Sequence, residues 1–132
     1  MITNAEMTIF NACPDQREKK IVYIPHFIGK VWFHKDVKIS SAEGGFVRMD
    51  VFWIRVPEES LAGWLPPEEF SGDGDGWTVQ NKDFFILGKW EGTKVEDISD
   101  VRKIYRGTMG IVNSHSENFF GTSPHIRIGG GA

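Results

Sequence analysis

The sequence predicts a mainly β domain, a small β-barrel or sandwich of about eight short strands with one short helix and a long acidic loop. Two observations support this class. Most segments alternate their apolar residues with a period of two, as strands do, and one segment changes to a helical period. The 132 residues, of which 40% are hydrophobic, are sufficient for one core. We therefore expect a single domain over residues 1–128 and a flexible glycine-rich tail over residues 129–132.

The first half of the chain contains four of the predicted strands, at residues 7–10, 21–28, 31–39 and 46–56. Pro25 within the second strand favours an edge or a bulge, because proline cannot donate to a sheet ladder. The strand at 46–56 is the clearest. Its two faces are both largely apolar toward the C-terminal end, which indicates either cover on both sides or an interface on one side.

Residues 57–76, which we call the acidic segment, form a long excursion with three prolines, four glycines and no Lys or Arg. Its formal charge is −6, and since the whole chain carries −3, the remaining residues sum to +3. Apolar residues within it predict that it is at least partly docked, and long loops in compact domains are usually functional or disordered. The six acids are Glu58, Glu59, Glu68, Glu69, Asp73 and Asp75.

The second half continues with a predicted hairpin of residues 77–80 and 83–87. Residues 95–105 change to a helical period, and Asp97 or Ser99 is the expected N-cap of a short helix. A strand at 109–115, a hairpin loop and a last strand at 124–128 complete the domain.

Candidate chemistry is sparse, and the sequence predicts no catalytic residues, no metal site and no cofactor. The four histidines and Cys13 show no metal-ligand spacing, although a hairpin over residues 21–39 would bring His26 and His34 opposite each other. Ser114 and His115 would point to opposite faces of a strand. The glycine–aspartate run at 72–76 resembles a calcium loop but is followed by no ligand residues. We expect a protein that is not an enzyme.

Composition also bounds the partners and the compartment. A single cysteine, no basic leader and no apolar run near the ~20 residues of a membrane helix favour the cytoplasm and no membrane contact. A pI near 5.8 argues against a dedicated nucleic-acid binder, which usually has a basic domain.

Three parts of the sequence, in order, carry a family resemblance. The chain opens with M-T-I-F-N at 7–11. Its middle runs V-F-W-I-R-V-P at 51–57, then the acidic segment, then W-T-V-Q at 77–80 and D-F-F-I-L-G at 83–88. It closes with I-V-N-S at 111–114, Asn118, Gly121 and H-I-R-I-G-G at 125–130. This order resembles the minor capsid or head-closure (stopper-like) neck proteins of tailed phages of Gram-positive bacteria. Ile126 departs from their pattern, which commonly has Trp after the late His.

The resemblance implies a structural virion protein of the head–tail connector, assembled in the host bacterial cytoplasm. Its expected partners are copies of itself in a ring, portal or adaptor proteins, and a tail terminator. Double-stranded DNA would pass through transiently, without sequence-specific binding, and the ring would help retain the packaged genome. The alternatives are a tail terminator or tail component, a glycan-binding tail module that uses exposed Trp, and a single-strand nucleic-acid binder.

Two residue sets follow as hypotheses. The six acids of the acidic segment are expected to face the channel, where they would repel DNA phosphates; the alternative is a contact between this segment and a neighbouring subunit. Neighbouring copies in a ring meet through two different patches. The expected interface residues are Phe46, Phe52, Trp53, Trp64, Phe119 and Phe120.

Overall fold

The computed structural model describes residues 2–15, 17, 19–72, 74 and 76–131. Within them, six antiparallel strands close into a barrel in the order β1-β2-β3-β6-β5-β4. The predicted mainly β class and the barrel are therefore confirmed. The strands are β1 (Ala5–Asp15), β2 (Lys20–Ala42), β3 (Gly45–Pro57), β4 (Phe84–Leu87), β5 (Met109–Asn118) and β6 (His125–Gly131).

The strand β2 replaces two of the predicted strands. Its first part pairs with β1 and its second part, from Trp32 onward, pairs with β3, so the strand changes partner midway. Tyr23 directs its backbone N–H and C=O away from β1 to Val95, at 2.7 and 3.0 Å. Alternate residues of a strand point their backbone groups the same way, so Pro25 turns its nitrogen to this outer edge and removes no ladder bond.

The strand count is six rather than eight for two reasons. Residues 29 and 30 continue the extended chain of β2 and do not form a turn. Residues 77–80 form no strand, although Trp77 makes one bridge with Trp64. As a result, His26 and His34 lie on the same strand and do not face each other across a hairpin.

The barrel interior is filled by apolar side chains from all six strands and from residues 77–79. A second, smaller cluster on the outer face of β1 and β4 is covered by the helix α1 (Ile98–Arg102), which buries Val101. Burial of these side chains from water is the main stabilising term of the fold. The main cluster comprises Met7, Ile9, Ile28, Val31, Phe52, Ile54, Val56, Trp77, Val79, Phe85, Val112, Ile126 and Ile128.

The helix α1 starts at the predicted cap. Asp97 accepts the backbone N–H of Ile98 at 2.8 Å. Its side chain also accepts the backbone N–H of Asp100, whose carboxylate accepts the N–H of Asp97 at 3.2 Å, and these reciprocal bonds form a capping box. The helix is shorter than the predicted 95–105. No helix in the described part of the chain is long and apolar enough to cross a membrane.

The prediction of a flexible tail is wrong for residues 129–131, and residue 132 lies outside the described residues. β6 continues to Gly131, paired with both β3 and β5, and Gly129 and Gly130 are buried. These glycines permit close packing. A Cβ at Gly129 would lie 2.4 Å from the Ser114 hydroxyl oxygen, and one at Gly130 would lie 2.9 Å from the Ile111 carbonyl oxygen.

Candidate assembly surface

Four exposed large hydrophobic residues, Val37, Ile39, Phe46 and Met49, lie on a hairpin that projects beyond the barrel. β6 first pairs with β3 at Val51, and β1 last pairs with β2 at Val31, so residues 37–50 pair only with each other. We call residues 37–50 the arm. Its six residue pairs correspond to a length of about 20 Å at the usual rise of a strand. The arm is thus a two-stranded ribbon with two open edges.

One face of the arm carries three uncovered apolar side chains, each opposite a polar residue. Val37 lies opposite Asp50, Ile39 opposite Arg48, and Phe46 opposite Ser41, and paired residues share a face. The exposed fractions of Val37, Ile39 and Phe46 are 43%, 67% and 82%. Two-residue periodicity along β3 makes this the same face that turns into the barrel interior further on. The arm therefore extends the core face of the barrel into solvent.

A tight turn and paired charges favour formation of the arm. Gly44, in the turn, adopts a φ of 94°, which side chains other than glycine rarely tolerate. Asp50 lies 3.6 Å from Lys35 and 3.6 Å from Arg48, as partly exposed ion pairs of small energetic value. Because an isolated two-stranded hairpin is marginally stable in water, the arm gains stability from the barrel at its base and from any partner that covers it.

The six predicted interface residues do not form one surface. Phe46 is exposed on the arm, whereas Phe52 is 2% exposed and packs in the barrel interior, so Phe52 is corrected from an interface residue to a core residue. The physical reason is that β6 begins to pair with β3 just before Phe52, so the closed barrel covers this side chain. At the opposite end of β3, Phe119 packs edge-on against Trp64 at 5.3 Å, and Phe120 is 97% exposed.

Trp53 belongs to a separate outer-face cluster that alternates tryptophan and arginine. The Arg55 guanidinium lies 4.9 Å from the centre of the Trp32 ring, and the Arg127 guanidinium lies 4.5 Å from that of Trp53. Arg55 and Arg127 are exposed and directly opposite each other on β3 and β6. Guanidinium groups over aromatic faces are favourable cation–π contacts. Sequence reasoning missed this cluster, because the register that joins residues 55 and 127 is a long-range property.

The acidic segment begins where β3 ends and is docked through two short 3₁₀ turns, Glu58–Ser60 and Pro67–Glu69. Leu61 and Trp64 pack against the barrel core, which confirms that it is partly docked. Its four described acids, Glu58, Glu59, Glu68 and Glu69, are all exposed, and no described residue forms an ion pair with them. Asp73 and Asp75 lie outside the described residues.

A wide groove of about 1140 Å³ opens between the end of β1, the start of β2 and the acidic segment. Ile24 and Phe70 contribute apolar surface to it, and Lys94 lies 3.8 Å from Asp15 at its wall. The groove lies at the end of the molecule opposite the arm, because β3 runs from the arm to the acidic segment.

The histidines are dispersed in the structure. His26 stacks on Trp77 with ring centres 5.2 Å apart, and burial lowers the pKa of His26. His34 and His115 each lie next to a carboxylate, Asp36 at 2.9 Å and Glu117 at 3.0 Å. Among the described residues, no group of three His, Cys, Asp or Glu side chains is placed to hold a metal ion.

Comparison with known proteins gives one match. A family model described as a family of unknown function, DUF6751, matches residues 2–131, almost the entire chain. The chain belongs to this family. Comparisons with curated proteins and with solved structures find no match. Three features of this chain bear on its function: the arm, the arginine–tryptophan cluster and the acidic segment.

Proposed function

We propose that this protein is a structural subunit of a phage head–tail connector, a ring that joins the portal-side connector to the tail and helps retain packaged DNA. The observation that supports this most is the arm, whose exposed apolar residues extend the core face of the barrel into solvent. Apolar surface of this kind on a single element is typical of protein–protein contacts. The phage context is supported by the order of sequence features described above.

A ring is favoured over a two-fold dimer by the positions of the two apolar surfaces. Phe46 lies on the arm, at the start of β3, whereas Phe119 and Phe120 lie next to the end of β3, where His125 pairs with Pro57. Contacts between different patches of neighbouring copies are heterologous, and such contacts close into rings when the rotation between copies allows it. The arm of one copy would thus meet the far end of the next.

The acidic segment has two possible positions in such a ring. On the channel wall, its carboxylates would repel DNA phosphates and allow the genome to pass without sticking. Between subunits, they would instead meet the cations of a neighbour. The exposure of Glu58, Glu59, Glu68 and Glu69 is compatible with both positions.

A glycan-binding tail module is less favoured by the geometry. Sugar recognition by stacking needs an open tryptophan face, and guanidinium groups already lie over Trp32 and Trp53. A tail terminator remains the second candidate, because it shares the ring architecture and differs in its partner. Capture of a purified portal–adaptor complex rather than tail tube protein by the assembled ring would distinguish the connector from the terminator.

The test is the assembly state of the full chain, measured by mass photometry and negative-stain imaging over a range of protein concentrations. We expect closed rings at masses that are multiples of 15.0 kDa. Replacing Phe46→Ser should weaken assembly, whereas Ile104→Ser, which removes another largely exposed apolar side chain outside the arm, should not. A protein that stays monomeric at every concentration, or a gene set outside any block of portal, capsid and tail genes, would contradict the proposal.

A further inference from the structure

We infer that Arg55 and Arg127, the arginine pair, form a preorganised carboxylate-binding site, and that the acidic segment of a second copy of this chain occupies it. The inference rests on the proposed ring and specifies one of its subunit contacts. It starts from an unfavourable feature of the monomer: two arginines stand directly opposite each other on neighbouring strands.

Like charges directly opposite on adjacent strands destabilise a sheet. Arg55 and Arg127 are both exposed, and neither forms an ion pair with any described acid. An anion bound across the two guanidinium groups would convert this repulsion into attraction.

The tryptophans fix the orientation of the two guanidinium groups. Trp32 lies opposite Arg55 in the register, and its ring is 4.9 Å from the guanidinium. Trp53 lies opposite Gly129, where a Cβ would approach its ring to 3.0 Å, so the glycine leaves room for the indole beneath Arg127. A stacked guanidinium loses less conformational freedom on binding than a mobile one, which favours affinity.

The arginine pair belongs to a row of polar groups that crosses the outer face of the sheet. Ser116 on β5 lies opposite Arg127 and is also exposed. Three strands thus present two guanidinium groups and one hydroxyl side by side, at the interstrand spacing of about 4.8 Å. This is a flat, extended donor surface that suits a run of carboxylates on a peptide segment better than an isolated small ion.

The chain itself contains the complementary segment. Residues 57–76 have six acids and no basic residue, and their four described acids are exposed without ion pairs. Within one copy, two hydrogen bonds anchor this segment to the barrel, and no ion pair joins its described acids to the arginine pair: the Ser60 hydroxyl donates to the Lys30 carbonyl at 2.7 Å, and the Leu65 N–H donates to the Trp77 carbonyl at 2.8 Å. The carboxylates are therefore presented outward, and a second copy is the occupant that supplies matching charge.

The contact can be tested by zero-length cross-linking between copies. Arg55→Lys and Arg127→Lys keep the charge and introduce amines that a carbodiimide joins to nearby carboxylates. Each variant is prepared as ¹⁴N and ¹⁵N protein, and the two are mixed before assembly and cross-linking. We expect cross-linked peptides that join position 55 or 127 of one isotope to residues 57–76 of the other. Arg106→Lys, an exposed arginine outside the cluster, is the control and should give no such peptide.

A second experiment reverses the charges on each side separately. One variant carries Arg55→Glu with Arg127→Glu, and two others carry Glu58→Arg with Glu59→Arg, or Glu68→Arg with Glu69→Arg. The arginine variant and at least one of the acid variants should assemble at least about tenfold more weakly alone. A mixture of those two should recover assembly, because an alternating ring restores opposite charges at every contact.

The outcomes separate this inference from the ring itself. Rings that form normally from all charge-reversed variants, or that give only same-isotope cross-links, overturn the carboxylate contact and leave the ring intact. Absence of any species above the monomer overturns the proposed function and the contact with it. Binding of a double-stranded oligonucleotide that is lost in the Arg55→Glu, Arg127→Glu variant, with assembly unchanged, would assign the arginine pair to phosphates and overturn the inference.

Discussion

Asp83 is the one fully buried charged residue in the described part of the chain, and it joins an irregular segment to the barrel. One carboxylate oxygen accepts the Ala12 N–H at 3.0 Å, and the other accepts the Asn11 amide at 2.9 Å and the Gln80 N–H at 3.1 Å. Asn11 also exchanges hydrogen bonds with the backbone of Thr78. This network satisfies backbone groups of the buried Thr78 and the half-buried Gln80, which have no strand partner.

Replacing Asp83→Asn should destabilise the fold by about 1–3 kcal/mol, because one of the two acceptor oxygens becomes an amide that faces an N–H donor. The measurement is the urea midpoint of unfolding, with m unchanged. Asp100→Asn, whose side chain accepts hydrogen bonds only at the exposed start of α1, is the matched control and should cost less. Equal losses for the two variants would contradict a structural role of the buried network.

The same carboxyl predicts a pH dependence. Burial raises the pKa of Asp83 above its ordinary value of 3.8, against the Ala12 N–H and the Asn11 amide, which lower it. A raised pKa in the folded chain means that the folded state holds the proton more tightly, so this contribution to stability is complete below 3.8 and is lost as pH rises through the folded pKa. The wild-type advantage over Asp83→Asn should therefore shrink as the pH is raised above 3.8. An advantage that grows over this range would contradict the shift.

Some residue roles could be predicted from sequence and others could not. Asp97 was identifiable as a helix cap, because capping depends on residues three positions apart. Phe46 and Phe52 could not be distinguished, since both occupy the same face of β3 and have the same side chain. Their burial differs because β6 covers only the second part of β3, and that boundary is set by pairing between residues more than 70 positions apart.

At the scale of elements, the arm and the barrel contribute differently to the buried core. The arm residues contribute nothing to either buried cluster in the described structure, whereas the second part of β3 supplies Phe52, Ile54 and Val56 to the interior. The arm is consequently a feature that the fold tolerates and does not require. This separation is expected of an element retained for contact with another chain.

Shortening the arm should therefore spare the fold and weaken assembly. Replacing residues 39–48 by a two-residue Asn-Gly turn keeps the hairpin register and removes Ile39 and Phe46. We expect a melting temperature within a few degrees of the wild type by circular dichroism, with loss of species above the monomer in mass photometry. A large drop in melting temperature would instead identify the arm as part of the folding unit.

The boundaries of the strands show where sequence patterns no longer predict the structure. Period-two alternation identified the strand segments except at residues 77–80, which form no strand. It also divided β2 at residues 29 and 30, since a glycine usually ends a strand. In the structure, these residues stay extended because they lie where β2 stops pairing with β1 and starts pairing with β3. The C-terminal glycines were misassigned for the converse reason: their value lies in the space that they leave for Trp53 and Ser114, which the sequence alone does not display.

At the scale of the whole molecule, the charge is separated between the acidic segment and the remainder. The sequence establishes the −6 and +3 totals, but not that two arginines are brought together opposite each other on the sheet. The proposed ring thus combines two kinds of contact, an apolar one at the arm and an ionic one at the arginine pair. These two contacts respond in opposite ways to salt, because screening weakens exposed charge pairs and excluded salts strengthen apolar burial.

Assembly of the wild type should accordingly weaken as sodium chloride is raised, and should recover in part when sodium sulfate is added at equal ionic strength. The variant Arg55→Gln, Arg127→Gln lacks the ionic contact, so its assembly should be weaker at low salt and nearly independent of sodium chloride. Phe46→Ser should retain the full salt dependence, because it alters only the apolar contact. The measurement is the apparent assembly constant from mass photometry across a salt series. Equal salt slopes for the wild type and the arginine variant would show that the ionic contact lies elsewhere on the molecule.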